Sequence, residues 1–317
     1  MLSRTADHLY WMGRYIERAE TTARLLEVGA RNALLPDVGG GFRNDWDAVL
    51  RALGVYDSFI DKFGEVVERN ITTFLFFDAD NPTSVLSCLS AARENARVVR
   101  TALTGHTWDA INSSFQELKD FQRTERSKLS LTDLAEWTLH TVSLIRGAID
   151  GTQLRDDGYR FIGLGMAIER GDNTARLLDV KYYVLLPSLS YVGSALDQTQ
   201  WTALLRSMSA YRAFKWAYRG DITATKIAHF VILNEEFPRS LLSCTRAINE
   251  HLDMLSRRYG RPSQAQGVAR SMLAELAEAR VGDIFDEGLH EFLTRYMRRN
   301  AEAAMIIQNT YLAGIPA

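Results

Sequence analysis

The amino-acid sequence predicts an all-α protein, a duplicated helical bundle of two pseudo-symmetric repeats with about five to six helices each. Three observations predict it. Proline occurs only 6 times in 317 residues, under the usual ~5%, so few helix breakers interrupt the chain. Apolar and small residues recur in 3- and 4-residue steps, while alternating strand-like runs are scarce. Residues 9–28 align without gaps on residues 161–180 with ten of twenty pairs identical, where chance gives about one or two.

In the first repeat, placed at 1–152, positions 9, 12, 16, 19, 23 and 26 mark the apolar face of an opening helix. WDAVLRAL (46–53) is a short amphipathic helix. Asn81-Pro82 precedes a long helical pattern and reads as an N-cap with proline in the first turn. Residues 109–123 and 130–149 supply two more helices. The second repeat, 153–317, restates the opening helix at 161–180. It continues with helices at 200–208, after Glu236-Phe237-Pro238, and at 268–279 and 289–312. The register shifts only slightly: Trp46, Leu50 and Phe59 correspond to Trp201, Leu205 and Phe214, Pro82, Ser84 and Cys88 to Pro238, Ser240 and Cys244, and Leu134 and Glu136 to Leu289 and Glu291. FLFF (74–77) and YYVLL (182–186) are strand-like but short and lie inside helical patterns, and loops are expected at 35–44, 78–81, 155–158, 187–194 and 259–264.

Composition excludes several classes of function. With 37 basic and 39 acidic side chains, the formal charge of −2 argues against a nucleic-acid or membrane-surface binder. Two cysteines cannot build a disulfide framework and read as buried thiols. The chain starts without an apolar leader pattern and has no run of ~18 apolar residues, so a soluble cytoplasmic protein is expected. Phosphate-binding loops, nucleophile elbows and His-Glu-x-x-His are absent, and the six histidines lack metal-ligand spacing. Residues 211–219 interleave aromatic and basic side chains, which read as core and solvated face respectively.

The repeat comparison isolates one chemical feature. Gly13, Glu17, Glu20 and Arg24 share a helix stripe, and the second copy reads Gly165, Glu169, Asp172 and Arg176. Interior glycines cost up to ~1 kcal/mol in a helix, so a matched pair points to close approach of another backbone or a ligand. Arg18 and Arg170 lie about 100° off the stripe. One reading is a buried Glu/Arg network that fixes helix register. The other is a site where four carboxylates and four arginines converge, able to hold an anion, with a divalent cation as a weaker option. No cofactor is predicted, and the missing Glu-x-x-His disfavours a di-iron centre.

LSRTADHLYWMGRYIERAETTARLLEV, IERGDNTARLLDV and NPTSVLSCLSAARENARVVR resemble the alpha-E family, bacterial all-helical proteins with a Glu-Arg motif. The resemblance maps that motif onto Glu17-Arg18 and, through the repeat, onto Glu169-Arg170. It maps an Ala-Arg-Glu-Asn-Ala-Arg segment onto Ala92 to Arg97, which adds Arg93, Asn95 and Arg97 to the candidate binding residues. It implies a partnership with a circularly permuted ATP-grasp ligase and a transglutaminase-like or proteasome-like peptidase, acting on a peptide, with this chain as the helical component. The expected role is a non-catalytic accessory subunit, and self-association remains open. The alternative is an enzyme or transferase of the same pathway. Glu17 and Glu169 would be its acid/base groups, and Arg18, Arg93, Arg97 and Arg170 would hold anions.

Overall fold

The computed structural model describes residues 1–32, 45–184 and 195–313. Among these the protein is helical throughout, without strands. The helices are α1 (Ser3–Asn32), α2 (Asp45–Ala52), α3 (Tyr56–Phe63), α4 (Glu68–Thr72), α5 (Val85–Val98), α6 (Gly105–Arg123), α7 (Leu131–Thr152), α8 (Asp157–Val184), α9 (Ala195–Ser207), α10 (Tyr211–Ala217), α11 (Ala224–Ile232), α12 (Leu241–Tyr259), α13 (Gln264–Glu278), α14 (Val281–Glu287) and α15 (Leu289–Ile307). The expected loops at 35–44 and 187–194 lie wholly outside the described residues.

The centre of the fold is the crossing of α1 and α8, the two long helices that carry the repeated segment. Helices α5 and α7 pack on α1, and α12 and α15 pack on α8. The short helices cross over, α2 onto α8 and α9 onto α1. Both apolar clusters therefore draw on both halves of the chain. One joins Leu26, Leu50, Phe59 and Phe76 to Leu205, Phe214, Phe230 and Leu293; the other joins Leu9, Met12 and Ile145 to Phe161, Ile168 and Leu252. Burying each such side chain contributes about 1.5–3 kcal/mol, and these contacts tie the halves together.

Glycine permits the crossing. A Cβ at Gly13 would lie 2.5 Å from the carbonyl oxygen of Ile162, and one at Gly165 would collide with the carbonyl of Tyr10, whose carbon is 3.0 Å away. Each glycine thus receives the other helix's backbone, which explains why both copies keep it.

Local capping corrects the expected helix starts. α5 begins at Val85 with Ser84 as N-cap, its hydroxyl accepting from the Ser87 N–H at 3.0 Å, and not at Asn81-Pro82. Asn81 caps the preceding turn instead, accepting from the Thr83 N–H at 3.0 Å and donating to the Phe74 carbonyl. Ser240 repeats the arrangement for α12, three residues nearer the chain start being the turn at Phe237-Pro238. Ser84→Ala or Ser240→Ala should each cost about 1 kcal/mol, read as a shift in the urea midpoint with an unchanged slope.

FLFF forms a π-helical turn at Thr73–Phe77 whose four apolar side chains are all buried. In α10 the aromatic residues divide. Phe214 is buried and stacks on Tyr218, whereas Trp216 is 91% exposed and corrects the reading of this segment's aromatics as core. Cys88 and Cys244 are buried against the carbonyls of Pro82 and Pro238, and burial pushes their thiols up to about 12 and about 11. No described helix is long and apolar enough to cross a membrane.

Candidate functional site

Just beyond the glycine contact, the two Glu-Arg pairs exchange partners across the crossing. Arg170 of α8 donates to Glu17 of α1 from Nε at 3.1 Å and also from Nη2. Reciprocally, Arg18 donates to Glu169 from Nε at 2.6 Å and from Nη2 at 3.2 Å. The side chains that point about 100° off the stripe are thus the ones that bridge the helices. Farther along, Arg24 pairs with Glu20 at 2.6 Å and donates to the Ser207 carbonyl at the end of α9. Arg176 pairs with Asp172 at 2.7 Å and donates to the Ala52 carbonyl at the end of α2. These contacts recur as corresponding pairs.

The two sides are filled differently. Glu17 and Glu20 also meet Arg146, which reaches from α7 at 2.6 Å to Glu17 and pairs with Glu20, and Arg239, which pairs with Glu20 from the turn before α12. Glu17 is fully buried and Glu20 nearly so. Burial alone would raise the Glu17 carboxyl, but Arg170, Arg146 and Arg239 outweigh it and hold it well below the carboxylate range. Four guanidiniums on two carboxylates leave surplus positive charge. Burial, joined by neighbouring cations, lowers Arg24 to about 9 and Arg146 to about 10.

On the other side Glu169 takes Arg14 Nε at 2.6 Å besides Arg18. Burial again works to raise its carboxyl, and these two arginines reverse that and lower it. Beyond Glu169 and Asp172 a pocket of about 390 Å³ opens, bordered by α1, α8 and α15. The Glu17 side has arginine side chains where this side has space.

Of the candidate residues, the fold thus brings together Glu17, Arg18, Glu20, Arg24, Glu169, Arg170, Asp172 and Arg176. It leaves Arg93, Asn95 and Arg97 apart. Arg93 donates to Asn112 at 2.9 Å and lies over Phe115, Asn95 meets His8 at 2.8 Å, and Arg97 pairs with Glu94 on the exposed face of α5. Arg14, Arg146 and Arg239 also belong to the network. Their counterparts are Met166, Ala301 and Thr83, so comparison of the copies passes over them. A usable signal existed for Arg146, a lone charge inside the apolar run VSLIRGAI. Among the described residues no three His, Cys, Asp or Glu side chains are placed to hold a metal ion. Most carboxylate oxygens of the network face guanidinium donors, but Glu17 Oε2 has no hydrogen-bond partner, the nearest guanidinium being Arg239 at 3.8 Å.

This geometry fixes a pH dependence. Both carboxyls ionise below their ordinary 4.5 in the fold, so below that value the unfolded chain binds more protons. Their contribution to stability is complete above about pH 4.5 and disappears as pH falls through the folded-state values. Melting temperatures measured between about pH 6 and 3 should drop below about pH 4.5; a flat profile would contradict the ionised network.

Comparison with known proteins agrees with the helical core. Residues 1–312 match the model of the family Alpha-E, described as a predicted alpha-helical domain with a conserved ER motif. Uncharacterized proteins of Mycobacterium bovis and Mycobacterium tuberculosis are 25% identical over 262 residues, and another of M. tuberculosis is 24% identical over the same length. The match covers 75% of this chain but only 28% of each relative, so the chain spans under a third of the proteins it resembles. No solved structure matches.

Proposed function

The chain belongs to the Alpha-E family, and we propose that it is a non-catalytic helical subunit of an ATP-grasp-type amide (peptide) ligase system. In this reading it binds the ligase or its peptide, in a cytoplasmic setting shared with a transglutaminase-like or proteasome-like peptidase. One observation carries the choice of a binding role over an enzymatic one. The candidate acid/base groups Glu17 and Glu169 are buried, ion-paired with two or more guanidiniums each, and held ionised. A general base accepts a proton most effectively when its pKa lies near the operating pH, and these carboxyls are held below even the ordinary carboxylate range. Arg93 and Arg97, which the enzymatic reading needs beside them, lie elsewhere.

Two further observations support the subunit role. The mycobacterial relatives carry the matching region inside much longer chains, the arrangement of a domain that works alongside others. The corresponding contacts of Gly13 and Gly165, and of Arg18 and Arg170, support a duplicated body with repeats at 1–152 and 153–317.

Copurification of the full chain with an ATP-grasp ligase encoded beside it, followed by ligase turnover with and without the chain, tests the proposal. Association together with altered turnover is expected. Failure of both to appear would refute the role.

A further inference from the structure

The pocket beside Glu169 is the place where the two sides of the crossing have diverged. Arg146 and Arg239 fill the Glu17 side, and the residues that correspond to them in the repeat are Ala301 and Thr83. Both line the pocket, so shorter side chains at the positions matching two arginines account for the space. Arg14 fills part of it by pairing with Glu169.

What remains displays unused hydrogen-bond acceptors beside a surplus of guanidinium charge. Asn300 lines the pocket and is 1% exposed; its amide nitrogen donates to the Ile168 carbonyl at 2.9 Å, but its oxygen is buried without a partner. The corresponding residue of α7 is Ile145, so this acceptor exists only on the open side. A buried unpaired acceptor is unfavourable, and a donor on a ligand would relieve it. Asp172 likewise uses one carboxylate oxygen on Arg176 and leaves the other unengaged among the described residues. Arg14, Arg18 and Arg176 bring three positive charges against the two of Glu169 and Asp172, a surplus that favours an anionic group. The volume of about 390 Å³ is at the small-molecule end of ligand sites.

We propose that this pocket binds a free α-amino acid as its zwitterion. The carboxylate faces the guanidiniums of Arg14, Arg18 and Arg176, and the ammonium faces Asp172 and the Asn300 amide oxygen. Either charge alone would leave one set of groups unmatched. The inference goes beyond the subunit role and stands without it, because a ligand can occupy the pocket whether or not a ligase docks on the chain.

The full-length chain is titrated calorimetrically with each standard amino acid, then with the amide and the N-acetyl derivative of the tightest binder, and with inorganic phosphate. At least one amino acid should bind, and loss of either charge should weaken it by about tenfold or more. Ala301→Arg restores the arginine of the opposite side at an exposed helix position. It should abolish binding while leaving the helical circular dichroism intact. If that variant misfolds, Arg176→Gln serves instead, with about a tenfold loss expected. Absence of binding by every amino acid would overturn the proposal. So would undiminished affinity of the amide or the N-acetyl derivative, phosphate binding tighter than any amino acid, or unaltered binding by a folded variant.

Discussion

Replacing Glu17 with glutamine is expected to destabilise the protein by about 3–5 kcal/mol, the cost of leaving buried charge without its counter-ion. The substitution keeps the shape and removes the negative charge that Arg170, Arg146 and Arg239 share. Water cannot take its place, because the carboxylate is 0% exposed and packed between helices from both halves. For a chain of this size the loss corresponds to a fall in Tm of about 5–8 °C, measurable by calorimetry. Glu169→Gln should cost roughly half as much. Glu169 neutralises two guanidiniums, Arg14 and Arg18, where Glu17 is shared by three. A Glu17→Gln protein that melts within about 2 °C of the parent would show that the guanidiniums find other partners.

The second large effect concerns the glycines. In a helix, Gly→Ala normally gains up to ~1 kcal/mol. At Gly13 and Gly165 the added methyl meets the opposing helix's backbone, which cannot rotate aside as a side chain can. Overpacking of this kind costs about 1–3 kcal/mol and more where backbone must move, so each substitution should be net destabilising by about 2 kcal/mol. Since both act by forcing α1 and α8 apart, the double variant should lose less than the sum. Gly147→Ala in α7 provides the contrast. Nothing lies within 4 Å of its Cβ position, and the substitution should stabilise by up to about 1 kcal/mol. If Gly13→Ala and Gly147→Ala shifted Tm in the same upward direction, the glycine contact would not be tight.

These two sites differ in how far they were legible. Gly13 and Gly165 stood out because one chain holds two versions of the segment, and an interior glycine kept in both needs a reason. The acids of the stripe were visible for the same cause. Arg146 and Arg239 were not, since their counterparts are Ala301 and Thr83. Arg93, Asn95 and Arg97 were nominated through their motif, yet α5 turns them toward α6, His8 and solvent. α5 starts three residues later than Asn81-Pro82 suggests, because Asn81 and Ser84 both suit a cap and only the turn at 81–84 decides which hydroxyl or amide meets the free N–H groups.

The amino-acid sequence by itself determined the helical class, the likeness of residues 9–28 to residues 161–180, and the rows of acid, arginine and glycine in those two segments. These follow from spacings of three and four residues, which a helix expresses locally. The tertiary structure alone decided which arginine neutralises which carboxylate, and that one side of the crossing is filled while the other is open. Those partners lie more than a hundred residues apart in the chain. Packing, with no periodicity to announce it, brings them within a few ångströms and out of water, where charges must be matched.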